Sequence, residues 1–230
     1  MKVENLLKVE SFLNDEQVNR LVEIIGQLEF QDGRSTASER AIEAKHNLQL
    51  NPVNGYAKQT IEGVLIQALT SNLLIQETIF PLKVYPPIIS KYILGMYYGS
   101  HVDSPVMADA QVGLIRTDMA MTLFLSNADD YDGGELVLLT DDGEVAIKLD
   151  KGGAVFYPAS IVHRVNEVKR GERLAMVSWI QSLIPDPGRR AIVAEIKKIE
   201  RKISLIDPHS EEALGLLQVY SNLIKMWSII

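Results

Sequence analysis

Apolar and polar positions follow one pattern in the first third of the chain and another after it. The opening LLKVESFL favours a short strand, and apolar residues then recur at three- and four-residue steps that predict a helix: Val18, Leu21, Val22, Ile25 and Leu28. Asn14 or Asp15 stands where the N-cap of this helix is needed. Residues 57–76 predict a second helix, and the polar stretch QDGRSTASERAIEAKHN between the helices predicts a loop that borders a site.

From about Pro81 the pattern changes to short β-rich segments separated by turn residues. The segments are LKVYPPIISKYIL, TDMAMTLFLS, GELVLLT, EVAIKL, GAVFYPAS and RLAMVSWIQS, and the turns between them include DDYDGG, TDDG, DKGG and KRGE. Six or more short strands at this spacing are typical of an antiparallel sandwich or jelly roll. In DDYDGG, Gly133 and Gly134 are expected to supply positive φ at a tight bend.

After Pro185 the pattern is helical again. GRRAIVAEIKKIERKIS places four isoleucines on one stripe, DPHSEE breaks the helix, and ALGLLQVYSNLIKMWSII forms the next one; the stripe is Ile192, Ile196, Ile199 and Ile203. This stripe could bury against its own barrel or against a second copy of the chain. We therefore predict a strand and helical region packing on the core over residues 1–78, a jelly roll over 79–182 and a helical hairpin over 183–230.

Composition narrows the possible functions. The 230 residues carry a net charge of −7, which argues against a phosphate-tracking nucleic-acid surface. No cysteine is present, so disulfides, thiolate zinc sites and cysteine nucleophiles are excluded. Acidic residues interrupt the N-terminal segment, and no apolar run approaches the roughly 18–20 residues of a membrane-spanning helix. We expect a cytoplasmic protein that binds neither nucleic acid nor membrane.

Candidate chemistry begins with His101 and Asp103. A strand directs residues i and i+2 to the same face, so the imidazole and the carboxylate would meet there. His163, at the start of a later strand, is the third candidate. Two histidines and one carboxylate on one face leave positions of an octahedral iron(II) open, as in non-haem oxygenases.

Arg173 follows His163 by ten residues, and we expect its strand to lie beside the strand of His163, joined by the turn VKRGE. A cosubstrate that chelates iron through a keto acid needs an anchor for its far carboxylate. Arginine suits this because its planar guanidinium pairs with a carboxylate through two hydrogen bonds. A strand-end histidine or a surface arginine is common alone, but the four-residue combination indicates one chemical purpose.

Several stretches together resemble the PKHD-type hydroxylases, iron(II)- and 2-oxoglutarate-dependent oxygenases related to prolyl 4-hydroxylases. They are YYGSHVDSPV, RTDMAMTLFLSNADDYDGGELVL, KLDKGGAVFYPASIVHRVNEVKRGERLAMVSWIQS, DGRSTASERAIEAKHN and the final KMWSII. The resemblance implies a double-stranded β-helix (jelly roll) with flanking helices. It also implies hydroxylation of a C–H bond with dioxygen, release of succinate and carbon dioxide, and stimulation by L-ascorbate.

For individual residues, the resemblance implies that His101, Asp103 and His163 bind iron and that Arg173 binds the 2-oxoglutarate carboxylate. Tyr92, nine residues before His101, matches a tyrosine that contacts the cosubstrate, and Tyr98 is its rival. The substrate stays open: a peptidyl or free proline, a siderophore-like molecule and other small molecules fit equally.

Three other functions are considered: a cupin-like metal-binding or sensor protein, a zinc hydrolase and a structural β-sandwich. Arg173 argues against the first, because a sensor needs no carboxylate anchor, and no general base stands out for the second. Trp179 shares a face with Arg173 and could line the pocket or pack in the core. Arg116 and Thr117 follow SPVMADAQVGLI, which could form a lid, and are placed to reach a substrate.

Overall fold

The computed structural model describes residues 6–36, 43–52 and 54–229. The helices in this part of the chain are α1 (Asp15–Gly26), α2 (Gly55–Ser71), α3 (Leu73–Thr78), α4 (Pro187–Ser204) and α5 (Glu211–Trp227). The strands are β1 (Leu7–Val9), β2 (Phe30–Asp32), β3 (Lys45–His46), β4 (Leu48–Leu50), β5 (Pro81–Val84), β6 (Ile88–Tyr92), β7 (Tyr97–His101), β8 (Val106–Asp109), β9 (Gly113–Arg116), β10 (Met119–Phe124), β11 (Asp132–Gly133), β12 (Leu136–Thr140), β13 (Gly143–Ile147), β14 (Ala154–Pro158), β15 (His163–Val165), β16 (Val168–Arg170) and β17 (Arg173–Ser182).

Two antiparallel sheets form the sandwich. The larger has the order β1-β14-β10-β17-β6-β4-β2, with β5 also paired to β17, and the smaller has the order β13-β12-β15-β7-β3. Strands β8 and β9 form a separate hairpin, and β11 pairs with β16. The predicted jelly-roll class with flanking helices is confirmed. The first 78 residues contribute β1, β2 and β4 to the larger sheet and β3 to the smaller, and the three-part division of the chain stays a prediction.

The central strands of the larger sheet, such as β10 and β14, are buried on both faces, which explains their continuous apolar runs. All six residues of β10, MAMTLF, are buried. One face packs against α1 and α2 through residues such as Leu21 and Leu65, and the other face contributes Phe124 and Tyr157 to the space between the sheets. A strand buried on both faces has no polar side to show, so it loses the period-two alternation of a half-exposed strand.

The N-terminal helix is confirmed, with Asn14 as its N-cap and a capping box closed by Gln17. The single helix predicted over 57–76 is wrong, because the chain breaks at Asn72. Asn72 adopts an extended conformation (φ −87°, ψ 101°), and its side chain accepts a hydrogen bond from the Ile75 amide at the start of α3. An asparagine side chain that competes for backbone amides favours such a cap over a helix interior.

The C-terminal helices α4 and α5 pack as a hairpin, as predicted, but the isoleucine stripe is only partly buried, with Ile196 and Ile203 half-buried. Ile192 and Ile199 are 51% and 41% exposed, whereas α4 buries Arg190, Val193 and Glu200. The Arg190 guanidinium donates to the carbonyls of Ile184 and Pro185 and so ties α4 to the end of the barrel. Oligomerisation through these helices stays a prediction. None of the helices in the described part of the chain has the length and apolar character to cross a membrane.

The expectation that the strands of His163 and Arg173 are neighbours is wrong. β15 pairs with β7 and β12 in the smaller sheet, whereas β17 pairs with β5, β6 and β10 in the larger one. The connecting residues form another strand, β16, before the tight turn at Gly171. His163 and Arg173 therefore belong to opposite sheets, and both line the same cavity between them.

Candidate metal centre

His101, Asp103 and His163 come together between the sheets. His101 ends β7 and lies directly opposite His163, the first residue of β15, in the strand register. Asp103 follows just after β7. One ligand atom from each residue lies within 4.8 Å of the others. Asp103 Oδ1 is 4.0 Å from His101 Nε2 and 3.8 Å from His163 Nε2, so the three side chains converge on one point.

Backbone carbonyls fix the orientation of both imidazoles. His101 Nδ1 lies 2.8 Å from the Gly99 oxygen, and His163 Nδ1 lies 2.9 Å from the Ile161 oxygen. Because a carbonyl only accepts, each Nδ1 donates, and the neutral form of each ring therefore presents the lone pair of Nε2 on the side of Asp103. Burial, followed by the nearby His163, lowers the pKa of His101 to about 4. The His101 ring is therefore neutral at pH 7, as metal ligation requires.

The Asp103 carboxylate is buried without enough partners. Its side chain is 9% exposed, and Oδ2 lies outside good hydrogen-bond geometry with every described residue, the nearby Trp179 indole included. Burial raises the pKa of Asp103, and the adjacent His163 and the Trp179 indole act in the opposite direction. An orphaned carboxylate oxygen beside two nitrogen lone pairs is costly unless a cation binds there. The chemistry of this donor set fits iron(II).

Arg173 faces these residues from the larger sheet. It is 2% exposed, and its guanidinium lies 5.0 Å from the ring centroid of Tyr92 and 5.6 Å from that of Phe124. Within the described ranges no acidic side chain pairs with it, and its Nε has no hydrogen-bond partner. A buried arginine between aromatic rings with no anion of its own is suited to binding an anionic ligand.

Tyr131 adds a hydroxyl beside Arg173 that the sequence did not indicate. It is 1% exposed, and its hydroxyl is buried next to Arg173, outside ideal hydrogen-bond geometry with any described residue. Burial raises its pKa, and the neighbouring Arg173 acts against that shift. The positive φ predicted for Gly133 and Gly134 is confirmed at 72° and 66°. A Cβ on Gly134 would lie 2.9 Å from the Tyr131 ring and 3.1 Å from Arg173 Cδ, so this turn must pass close to both.

One cavity joins these residues. Its lining includes the three convergent side chains and Arg173, together with both candidate tyrosines, Tyr92 and Tyr98. Tyr98 stacks on His101 with the ring centroids 3.7 Å apart, and Tyr92 lies opposite Arg173 in the strand register. Trp179 lines the cavity and also packs against the core between the sheets, so both of its predicted positions are found in the structure.

Arg116 and Thr117 are engaged elsewhere. The Arg116 guanidinium donates to both oxygens of Asp118, at 2.7 and 2.9 Å, and to the Ser182 carbonyl. Thr117 donates to the Ser104 carbonyl. Neither is among the residues that line the cavity, so the predicted substrate contacts are not supported. From the preceding segment, now the β8–β9 hairpin, Met107 is a lining residue.

Sequence reasoning missed part of the cavity, contributed by Lys45, Asn47 and Gln49. The first and last of these belong to β3 and β4, and His46 lies in β3 as well, so this end of the predicted loop is extended strand. Residues 37–42 of that loop lie outside the described residues. The alternation Lys-x-Asn-x-Gln could have indicated an extended segment with three polar side chains on one face, but the segment was assigned to a loop.

Comparison with known proteins agrees with this geometry. The model of the 2OG-Fe(II) oxygenase superfamily matches residues 88–181. A PKHD-type hydroxylase of Crocosphaera subtropica is 36% identical over 223 residues, covering 97% of this chain and 99% of the relative.

Two solved structures share the fold. A Pseudomonas putida prolyl-4-hydroxylase superposes with a TM-score of 0.53 at 19% identity, covering 78% of this chain and 93% of that one. A Trichoplax adhaerens prolyl hydroxylase, in complex with a hypoxia inducible factor peptide fragment, has a TM-score of 0.57 at 14% identity, covering 78% and 84%. Because the likeness to the relative extends over nearly the full length of both chains, this protein belongs to the PKHD-type hydroxylases, which are iron(II)- and 2-oxoglutarate-dependent oxygenases.

Proposed function

We propose that His101, Asp103 and His163 are the iron ligands of this hydroxylase and that Arg173 binds the far carboxylate of 2-oxoglutarate. The observation that carries the proposal is the convergence of three ligand atoms within 4.8 Å. The backbone hydrogen bonds that orient both imidazoles support it, because they hold the rings in position before any metal binds.

When bound, iron(II) and 2-oxoglutarate supply the oxidation chemistry, in which dioxygen is split between succinate and the hydroxylated product and carbon dioxide is released. The protein holds these groups in place and shields them from water. Both sheets contribute apolar side chains to the shielding, including Leu136 and Val165 from one sheet and Ile88 and Val177 from the other.

Arg173 would act through both charge and position. Its guanidinium is buried on the sheet opposite His163, so a diacid chelated at the metal centre would extend across the cavity toward it. Tyr92 flanks the guanidinium and Tyr131 offers a hydroxyl beside it. Of the two predicted tyrosines, this geometry favours Tyr92 as the cosubstrate contact, whereas Tyr98 packs on His101.

The substrate is a molecule with an unactivated C–H bond, either a peptide or a small molecule. The solved structures that share the fold include a prolyl hydroxylase with a peptide bound, and this favours testing prolyl compounds first. Stimulation by ascorbate stays a prediction.

Anaerobic titration of the metal-free protein with iron(II) and 2-oxoglutarate tests the residue roles. We expect a weak visible charge-transfer band in the wild type that saturates with both components. Arg173→Gln removes the charge at similar length and should weaken 2-oxoglutarate binding at least tenfold, since a charged hydrogen bond is worth about 1.5–3 kcal/mol. Arg189→Gln, on the exposed surface of α4, is the matched control. An unchanged titration in Arg173→Gln would refute the anchor, and a band that survives His163→Ala would refute the ligand set.

A further inference from the structure

One strand segment presents three polar side chains to the cavity in succession. Lys45, Asn47 and Gln49 are 5%, 2% and 4% exposed, and all three line the cavity. Alternate residues of an extended chain share a face, so they form one continuous surface, which we call the polar strand face. Inward positions of a sandwich are normally apolar, because burying polar groups without partners is unfavourable.

The segment crosses between the two sheets. Lys45 pairs with Tyr98 in the smaller sheet, and Gln49 pairs with Ser90 in the larger sheet. The polar strand face therefore runs past the metal centre at one end and reaches the sheet of Arg173 at the other. At about 3.3 Å per residue it spans about 13 Å, which is longer than an extended five-carbon diacid. Part of this surface therefore lies beyond the reach of 2-oxoglutarate.

Asn47 is the residue that most directly indicates a ligand. Both of its amide atoms are buried and lie outside good hydrogen-bond geometry with every described residue, the nearby Tyr92 hydroxyl included. Gly33 lies directly behind it, donating its N–H to the Asn47 carbonyl at 2.9 Å. A Cβ on Gly33 would lie 2.0 Å from Asn47 Oδ1, so only glycine leaves room for the amide. An amide that is buried, given space by a glycine and left unsatisfied is suited to pairing with an amide of a bound molecule.

Lys45 brings positive charge close to the metal ligands. Its ammonium lies 5.4 Å from the centroid of the Tyr98 ring, which itself stacks on His101. Burial lowers the pKa of Lys45 to about 8, and Asp32, whose carboxylate is bound by Arg34, acts against this shift. The ammonium form therefore predominates at pH 7.

The charges of the cavity favour an anion. Among the residues lining it, Lys45, Asp103 and Arg173 carry formal charge, which gives an excess of one positive charge. Iron(II) and doubly ionised 2-oxoglutarate carry opposite charges of equal size, so together they add no net charge to the cavity. A substrate that brings a carboxylate to this surface would neutralise the loaded cavity.

We propose that the polar strand face binds the primary substrate, and that this substrate carries a carboxylate near an amide group. Lys45 would bind the carboxylate, and Asn47 would bind the amide, which has a donor and an acceptor to match those of the Asn47 side chain, with Gln49 extending the polar surface beside it. The inference rests on the proposed function for the placement of iron and 2-oxoglutarate. A small N-acylated acid and an acidic peptide share this chemistry.

The test uses minimal probes that differ in one charge. Binding of N-acetylglycine and N-acetylglycinamide is measured at pH 7 by ligand-observed NMR, with the full chain loaded with zinc(II) and saturating 2-oxoglutarate so that no turnover occurs. We expect the acid to bind the wild type at least tenfold more tightly than the amide. Lys45→Met should reduce this preference to less than twofold, and Asn47→Leu should weaken both probes. Lys198→Met, at an exposed site on α4, should keep the preference.

Each outcome decides the proposal. Equal binding of the two probes, no binding of either, or a preference that persists in Lys45→Met would overturn it. Lys45→Gln replaces Lys45→Met if the latter does not fold. N-acetylglycylglycine distinguishes a small N-acylated acid from an acidic peptide as the substrate. Tighter binding than that of N-acetylglycine supports a peptide, and equal binding supports a small acid.

The iron and 2-oxoglutarate titration, made on metal-free protein of the same batch before zinc(II) is added, keeps this inference apart from the proposed function. A normal band without acid preference refutes only the polar strand face. Acid preference without a band refutes only the assigned iron and 2-oxoglutarate residues.

Discussion

Lys45→Met should stabilise the protein, because the native lysine is held where its charge is costly. Burial lowers the pKa of Lys45 from 10.5 to about 8. A tenfold change in proton affinity corresponds to about 1.4 kcal/mol, so the folded state loses about 3 kcal/mol below pH 8 by keeping this ammonium buried. Methionine has a similar length and no charge. We expect its free energy of unfolding at pH 7 to exceed that of the wild type by about 2–3 kcal/mol.

The pH dependence of this stability difference shows whether the buried charge of Lys45 is its cause. Between pH 8 and 10.5 the unfolded wild type binds more protons than the folded one, so its stability rises with pH in this window. The advantage of Lys45→Met should therefore be largest below pH 8 and shrink as the pH approaches 10. Other titrating groups occur in both proteins and cancel in the difference.

Urea unfolding at pH 7, 8, 9 and 9.5 measures the effect, with an unchanged m-value as the check that the unfolded states are comparable. Lys198→Met is the control and should change stability by less than about 0.5 kcal/mol at every pH. A Lys45→Met protein that is less stable than the wild type at pH 7, or a difference that is independent of pH, would refute this reasoning. A gain in stability with a loss of acid binding would show that Lys45 is kept for binding at the expense of stability.

Three further substitutions test how the site and its scaffold are held. Gly134→Ala, at φ 66° and with its new Cβ 3.1 Å from Arg173 Cδ, should lower the free energy of unfolding by about 1–3 kcal/mol and weaken 2-oxoglutarate binding. Gly113→Ala, at φ 69° in open space, is the control and should show only the loss of stability that comes from the backbone. Equal effects of the two substitutions on 2-oxoglutarate binding would contradict the contact with Arg173. The Asp118 carboxylate accepts hydrogen bonds from the Arg116 guanidinium and from the Ser182 amide. Asp118→Asn removes its charge, and urea unfolding should show that the free energy of unfolding falls by about 1–3 kcal/mol. Asn72→Ala removes the cap of α3 and should cost about 1 kcal/mol in thermal unfolding; a gain would mean that the helices on either side merge when the cap is lost.

Local patterns were enough to predict much of this protein. The helical spacing from Val18 to Leu28, with Asn14 before it, predicted α1 and its cap, because capping and amphipathic periodicity depend on neighbours in sequence. The β-rich segments between turn residues predicted the strands and the jelly-roll class. The spacing of His101 and Asp103 predicted that they share a face, since that follows from strand geometry alone.

Contacts between distant residues were harder to predict. The turn between His163 and Arg173 was expected to join paired strands, but the chain places them on opposite sheets, and sequence distance does not reveal which sheet a strand joins. Arg116 has a charge suited to a substrate, yet Asp118 and Ser182 bind it. The helix predicted over 57–76 contains a break because the Asn72 cap competes with helix continuation.

The sequence by itself determined most of the elements, the fold class and the candidate residues for a metal and keto-acid site, because these follow from periodicity, turn chemistry and side-chain type. Only the tertiary structure decided the site. It paired His101 with His163 and left Asp103 Oδ2 and the Asn47 amide buried outside hydrogen-bond geometry with any residue of the described ranges. It also turned the Lys45–Gln49 segment into a surface of the cavity. The physical reason is that burial and hydrogen-bond satisfaction depend on which segments pack together, and no local pattern contains that information.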